Sequence, residues 1–216
     1  MRKLPLCLVF FLVSLPVLAQ ERPFWNEIQA FKIQDSLVPP KDGMLLFIGS
    51  SSFRLWNTLQ EDFNNPTIVN RAFGGATLQD MIMYQDAIAL KYHPKKIFIY
   101  CGENDIASSE AVTPQIVLER FTVLYTSLRT QFPFIPIVYV SIKPCILRWG
   151  MRDRMRAANV LIQKYLNQQK HATFVNIWDD MLEQGLPKKD IFREDNLHMN
   201  AKGYAIWIKA LSPLVH

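Results

Sequence analysis

The sequence predicts an α/β protein with a mostly parallel sheet, because strand-like and helix-like segments alternate along the chain. The helical segments are amphipathic, and they lie between and after the strand-like runs. Strands that alternate with helices form parallel sheets, since each helix returns the chain to the same edge. The strand-like runs are almost continuously apolar, as expected of strands covered on both faces, and lie at residues 44–48, 67–70, 96–100, 135–141 and 173–177.

The helices are predicted from apolar spacing and from start signals. Thr113 followed by Pro114 is a helix start, since threonine caps the first turn and proline is tolerated within it. Further helices are predicted at residues 25–31, 154–169 and 201–211. Residues 20–42 form a lead-in segment that contains the first of these helices. The sequence contains neither an internal repeat nor a linker, so we expect residues 20–216 to form one domain.

The first nineteen residues have the pattern of a secretory signal peptide. Arg2 and Lys3 form a basic start, an apolar run follows, and Ala19 provides a small residue for cleavage. The run is short for a membrane span and two prolines interrupt it, although an uncleaved anchor is the alternative. We therefore predict a signal peptide at residues 1–19, a secreted or periplasmic protein, and no stable membrane insertion after cleavage.

The charge of the chain gives no indication of a nucleic-acid partner. Removal of the signal peptide lowers the formal net charge from +5 to +3, because Arg2 and Lys3 are lost. The longest runs of basic residues are pairs, at residues 95–96 and 188–189. Nucleic-acid binding requires a larger and more concentrated positive surface.

The cysteines predict neither a disulfide framework nor a metal site. Beyond the signal peptide only Cys101 and Cys145 remain, and the sequence has no C-x-x-C motif or Cys/His cluster. Each cysteine lies at the end of an apolar, strand-like run. Two buried thiols are the favoured interpretation, and a single bridge between neighbouring strands is the alternative. The cysteines therefore give no indication of a metal site.

Polar and glycine residues follow several of the predicted strands. In a parallel sheet, ligands bind outside the carboxyl ends of the strands, so residues at these positions converge. The segments concerned are residues 49–52, 70–75, 102–105 and 192–198.

Together these segments supply the groups that acyl transfer requires. A serine at the end of the first strand offers a nucleophile, and the spacing of Asp195 and His198 lets a carboxylate orient an imidazole base. Gly75 can bring its backbone N–H close to a substrate oxygen because it has no side chain. Asn104 can add a side-chain N–H as a second donor to a developing oxyanion.

The ordered set of segments resembles the SGNH/GDSL hydrolases over roughly residues 43–212. The four blocks of that family correspond here to Gly-Ser-Ser at 49–51, the glycine block at 70–75, Gly-Glu-Asn-Asp at 102–105 and Asp-Asn-Leu-His at 195–198. The resemblance implies a flavodoxin-like three-layer α/β/α sandwich with a mostly parallel five-stranded sheet. It also implies ester hydrolysis through an acyl-enzyme, without metal or cofactor.

The resemblance assigns a role to each motif residue. Ser51 takes the place of the nucleophile, His198 of the base, and Asp195 of the residue that orients the base. The implied oxyanion donors are the N–H of Ser51, the N–H of Gly75 and the side chain of Asn104. One departure is evident, because Ser50 occupies the position of the usual aspartate, which normally helps to hold the local turn. Ser52 is expected to open the helix that follows.

The sequence is less informative about the substrate. Lys143 and Arg148 follow the fourth strand and could face an anionic or sugar substrate, but solvated loop charges are the favoured interpretation. The export signal and the absence of an evident lid insertion favour a small acyl group on a large soluble molecule. The leading hypothesis is a secreted esterase that removes acetyl groups from a glycan or a small-molecule ester. The alternatives are a lipolytic esterase or thioesterase for longer acyl chains, an acyltransferase, and a non-catalytic glycan-binding domain.

Overall fold

A parallel five-stranded sheet forms the centre of the molecule, which was analysed as a computed structural model that describes residues 23–216. All four strand pairings are parallel, and the strand order is β2-β1-β3-β4-β5. This confirms the predicted α/β fold. The strands are β1 (Leu45–Gly49), β2 (Ile68–Asn70), β3 (Lys96–Tyr100), β4 (Ile137–Val140) and β5 (Ala172–Val175).

Helices cover both faces of the sheet. They are α1 (Trp25–Leu37), α2 (Ser51–Arg54), α3 (Leu59–Asp62), α4 (Leu78–Met83), α5 (Glu103–Ser108), α6 (Pro114–Gln131), α7 (Arg152–Leu166) and α8 (Ala201–Leu211). The predicted start of α6 is confirmed, because the Thr113 side chain accepts a hydrogen bond from Ile116 N. A short antiparallel hairpin, β6 (Leu182–Glu183) and β7 (Leu186–Pro187), lies between β5 and α8.

Two apolar layers fill the space between the sheet and the helices. Because side chains alternate along a strand, Leu46 and Ile48 of β1 face one layer and Leu45 and Phe47 face the other. The first layer packs against α1, α4, α6 and α7, and the second against α2, α3 and α8. The result is a three-layer α/β/α arrangement.

The first helix is longer than predicted, because it continues from Phe31 to Leu37. Only Ile28 of α1 is fully buried, so apolar spacing gives little sign of the last two turns. Polar contacts hold them: the guanidinium of the buried Arg71 donates hydrogen bonds to Gln34 and to Asp35, with which it forms an ion pair.

The structure also bears on the two cysteines and on membrane-spanning segments. Cys101 and Cys145 are free, buried thiols, as favoured from the sequence. No helix within residues 23–216 is long and apolar enough to cross a membrane. The predicted signal peptide at residues 1–19 lies outside the described residues.

Candidate active site

Ser51 begins α2 directly beyond the end of β1. Gly49, the last residue of β1, lies so close to the neighbouring strand that only a glycine fits there. Gly49 has φ +146°, and a Cβ there would lie 2.0 Å from the carbonyl oxygen of Tyr100 on the neighbouring strand. A side chain at Gly49 would therefore collide with the backbone. The same carbonyl accepts a hydrogen bond of 2.9 Å from Ser50 N, which fixes the chain just before Ser51.

Backbone hydrogen bonds hold the turn at Ser50, where the resembled family usually has an aspartate. The Ser50 carbonyl accepts hydrogen bonds of 3.1 Å from Phe53 N and Arg54 N. Ser50 is buried, and its hydroxyl forms no hydrogen bond among residues 23–216. The helix begins at Ser51, one residue before the predicted start at Ser52.

Distant side chains secure the carbonyl groups of α2. Asn70 donates a hydrogen bond of 2.7 Å to Phe53 O, and Tyr204 of α8 donates one of 2.9 Å to Ser52 O. The bond from Tyr204 gives the Ser52 carbonyl a partner from another helix, and the bond from Asn70 adds to the one that Phe53 O accepts from Trp56 N at 3.1 Å. Ser51 is thereby fixed between β2 and α8.

Asp195 and His198 lie on a tight loop before α8. One carboxylate oxygen of Asp195 accepts hydrogen bonds from the backbone N–H groups of Leu197 and His198, at 2.9 and 2.8 Å. Asn196 between them has φ +57°, a conformation that asparagine tolerates better than most residues. A hydrogen bond of 3.0 Å from Leu147 N to Asn196 O ties this loop to the segment that follows β4.

Ser51, His198 and Asp195 form one continuous hydrogen-bonded chain. His198 Nδ1 lies 2.6 Å from the second carboxylate oxygen of Asp195, and His198 Nε2 lies 3.0 Å from Ser51 Oγ. Partial burial opposes ionisation of Asp195, but hydrogen bonds from the His198 ring and from two backbone N–H groups lower its pKa to about 2. An ionised carboxylate holds Nδ1 as the protonated nitrogen, so Nε2 is free to accept the serine proton.

Two backbone N–H groups beside this chain have no acceptor within residues 23–216, those of Ser51 and Gly75. Gly75 has φ +75°, in the left-handed region that favours glycine. Glu27 of α1 accepts a hydrogen bond of 3.2 Å from Gly74 N and also pairs with Arg54 of α2. These bonds hold the glycine turn beside Ser51.

The side chain of Asn104 provides a third donor. Its Nδ2 donates a hydrogen bond of 3.0 Å to Ala76 O, which leaves one N–H unused. The next residue, Asp105, is fully buried and accepts hydrogen bonds from Leu78 N and Arg120. Asn104 is therefore anchored between α4 and α6, and the predicted oxyanion donors lie on the same edge of the sheet.

Lys143 and Arg148 differ from the favoured expectation of solvated loop charges. Lys143 is completely buried and donates a hydrogen bond of 2.9 Å to the buried Glu103. The Arg148 side chain is only 18% exposed and contacts both Glu103 and Asn104. The expectation was wrong because their anionic partner lies some forty residues away in the chain, beyond the reach of local patterns.

The lead-in segment contributes to the site, and sequence motifs did not reveal this. A Cβ on Gly75 would lie 3.8 Å from a ring carbon of Phe24, the residue before α1. Phe24 is half-buried and packs edge-on against Phe73 at 5.1 Å. Its φ of +62° is unusual for a bulky residue. Phe24 and Glu27 fall in no recognisable motif, so only the structure places them here.

No metal site is evident in the part of the chain that the structure describes. Across residues 23–216, no group of three or more His, Cys, Asp or Glu side chains is placed to hold a metal ion. The chemistry available at this edge of the sheet is that of a hydroxyl, an imidazole, a carboxylate and three N–H donors.

A three-layer α/β/α fold with these groups at the carboxyl edge of its sheet defines a class of hydrolytic enzymes. The sequence profile of the GDSL-like lipase/acylhydrolase family matches residues 48–206, and the chain belongs to that family. It is therefore a hydrolase that acts on esters. No curated protein matches the chain by sequence.

Solved structures show the same fold at low sequence identity. A Streptococcus pneumoniae protein provisionally described as a platelet activating factor is 24% identical, with a TM-score of 0.77 over 88% of this chain and 92% of that one. A GDSL-like lipase from Bacteroides thetaiotaomicron is 16% identical, with a TM-score of 0.72 over 87% and 96%. A family 3 carbohydrate esterase from Clostridium thermocellum is 14% identical, with a TM-score of 0.61 over 81% and 98%.

Proposed function

We propose that the protein is a secreted serine esterase that removes small acyl groups, acetyl above all, from a carbohydrate. The observation that carries the proposal is the hydrogen-bonded chain from Asp195 through His198 to Ser51, with free N–H donors beside it. Such a chain activates a serine hydroxyl, and the donors suit a tetrahedral oxyanion.

In the proposed mechanism, Ser51 Oγ attacks the ester carbonyl while its proton passes to His198 Nε2. The oxyanion that forms is held by the N–H groups of Ser51 and Gly75 and by the free N–H of Asn104. As the bond to the leaving alkoxide breaks, His198 returns the proton to that oxygen. Water then attacks the acyl-enzyme, with His198 as base again, and releases the acid and free Ser51.

The preference for a short acyl group is supported by the position of Phe24. A Cβ on Gly75, one of the proposed oxyanion donors, would lie 3.8 Å from a ring carbon of Phe24, so we expect the ring to border the space that the acyl group occupies. The ring packs against Phe73, and Tyr84 donates a hydrogen bond of 2.5 Å to the carbonyl of Pro23, the residue before Phe24. A wall fixed in this way leaves room for an acetyl group more readily than for a long chain.

A carbohydrate substrate and an extracytoplasmic location are proposed on other grounds. Neighbours in fold, at 13–15% identity, include family 3 carbohydrate esterases and a mutant acetyl esterase whose structure contains an acetate ion. Residues 1–19 have the pattern of a signal peptide, which would bring the enzyme to polymeric glycans outside the cytoplasm.

Chain-length dependence tests the proposed acyl preference. The specificity constant kcat/KM on p-nitrophenyl esters should be highest for the acetyl ester and fall as the acyl chain becomes longer. A preference for octanoyl or longer esters would contradict the proposal. Phe24→Ala should move the optimum to longer chains because it removes the wall. Phe134→Ala is the matched control, since Phe134 is 78% exposed and precedes β4 at the opposite edge of the sheet.

A panel of acetylated oligosaccharides tests the carbohydrate part of the proposal. Release of free acetate at a rate well above that of simple aryl acetates supports it. Turnover that requires a sugar acceptor, with little free acetate, would identify an acyltransferase instead. Binding of oligosaccharides without turnover would identify a non-catalytic glycan-binding protein.

A further inference from the structure

A buried ionic cluster lies directly behind Asn104. One Glu103 oxygen accepts hydrogen bonds from Tyr100 Oη at 2.6 Å and from Lys143 Nζ at 2.9 Å. The other oxygen lies 3.2 Å from Arg148 Nη1 and 3.5 Å from Cys145 Sγ. The buried carboxylate thus accepts three hydrogen bonds, from Tyr100, Lys143 and Cys145, and forms ion pairs with Lys143 and Arg148.

The cluster has more positive than negative side chains. Burial opposes ionisation of Glu103, but the adjacent Lys143 and Arg148 outweigh it, so the pKa of Glu103 is lowered and the carboxylate is charged. Two cationic side chains thus face one carboxylate. Lys143 is completely buried, whereas Arg148 is the cation that extends toward the catalytic edge of the sheet.

Arg148 connects this cluster to the proposed oxyanion hole. The same Nη1 atom that contacts Glu103 also donates a hydrogen bond of 3.0 Å to Asn104 Oδ1. A guanidinium can only donate and the carbonyl of Ala76 can only accept, so together they fix which end of the amide is the nitrogen. A cation at Oδ1 also polarises the amide and strengthens the remaining N–H as a donor.

The segment that carries Arg148 is itself held in place at both ends. Asn159 of α7 exchanges two hydrogen bonds with the backbone of Ile142, at 2.8 and 2.9 Å. Leu147, next to Arg148, donates its backbone N–H to Asn196 in the loop of the catalytic pair. The segment therefore contacts both the amide donor and the loop that carries the base.

We propose that Arg148 is a positioning residue, which orients and polarises the Asn104 amide for the oxyanion and is itself fixed by the buried Glu103–Lys143 pair. This rests on the proposed function, in which Asn104 is an oxyanion donor. It adds a role for a side chain that touches no reacting atom.

A double-mutant cycle between Arg148 and Asn104 tests this inference with p-nitrophenyl acetate, which is small and uncharged. Asn104→Ala should lower kcat about 100-fold. Arg148→Met should lower kcat about tenfold with KM almost unchanged, because it acts on the transition state through the amide. In the Asn104→Ala background, Arg148→Met should have almost no further effect.

Several results would overturn the inference. If the fold-loss of kcat in the double variant equals the product of the two single losses, Arg148 acts independently of Asn104. A rise in KM with kcat unchanged would show that Arg148 binds substrate instead. An active Ser51→Ala would overturn the proposed function and this inference together, whereas an inactive Ser51→Ala with a multiplicative cycle would overturn this inference alone.

Two further variants separate positioning from folding. Arg148→Lys keeps the charge but donates from a single nitrogen, so kcat should lie between those of the wild type and Arg148→Met. If Arg148→Met unfolds at the assay temperature, Arg148→Lys replaces it in the double-mutant cycle with Asn104→Ala. Arg152→Met is the matched control, because Arg152 contacts Trp149 and Asp153 rather than Asn104, and its kcat should remain at the wild-type value.

Discussion

His198 Nε2 lies 3.0 Å from Ser51 Oγ, although the two residues are 147 positions apart in the chain. Parallel topology produces this contact, since β1 delivers Ser51 to the same edge of the sheet to which the loop before α8 delivers His198. Asp195, three residues before His198, completes the chain at 2.6 Å.

Removal of the Ser51 hydroxyl or of the His198 imidazole should abolish ester hydrolysis. Ser51→Ala and His198→Ala should each lower kcat on p-nitrophenyl acetate about 1,000-fold or more, and the double variant little further, because the two groups act as a unit. Ser50→Ala is the control and should stay near the wild-type rate, because the Ser50 hydroxyl forms no hydrogen bond among residues 23–216. An active Ser51→Ala with an inactive Ser50→Ala would place the nucleophile one residue earlier.

Loss of the Asn104 donor should reduce kcat more than it affects substrate binding. Asn104→Ala removes the amide and its bond to Ala76 O, while the Glu27 contact of Gly74 and the Asp105–Arg120 pair remain. We expect kcat to fall about 100-fold with KM changed little, as for other oxyanion donors. A KM effect without a kcat effect, measured over a full range of substrate concentrations, would assign Asn104 to substrate binding.

The Asp195 carboxylate should remain ionised over the whole pH range in which the enzyme is active. The pKa of Asp195 is about 2, below its usual 3.8, so its carboxylate stays ionised, and its stabilising contribution is lost only as the pH falls through about 2. Activity that is lost on acidification well above pH 2 should therefore not arise from protonation of Asp195. A slope of two in the plot of log kcat/KM against pH would mean that two groups gain protons together. Such a slope, at pH values where tryptophan fluorescence reports a folded protein, would contradict this account.

Gly49 should tolerate no side chain, because a Cβ there would lie 2.0 Å from the Tyr100 carbonyl. Gly49→Ala should destabilise the fold by more than about 3 kcal/mol, through the collision and the disfavoured φ of +146°. Gly150→Ala is the matched control, since nothing lies within 4 Å of the added carbon. Urea unfolding of the two variants should show a large loss of stability for the first and little change for the second.

The sequence predicted the parts of the molecule that local patterns encode. The five strands and the start of α6 at Thr113 follow from apolar runs and a helix start signal. The choice of Ser51 among the three serines follows instead from the resemblance to the SGNH/GDSL hydrolases. The extension of α1 was missed because polar contacts to Arg71, far along the chain, hold it. The burial of Lys143 was missed for a similar reason, since a lysine after a strand is ordinarily solvated and its partner Glu103 follows a different strand.

Labelling with a fluorophosphonate tests the central claim most directly, because such a reagent modifies only an activated serine. We predict one adduct per chain, located on Ser51 by mass spectrometry of the peptide that contains all three consecutive serines. The adduct should be absent from Ser51→Ala and strongly reduced in His198→Ala. An adduct on Ser50 or Ser52, or a wild-type protein that hydrolyses acetyl esters without being labelled, would contradict the account.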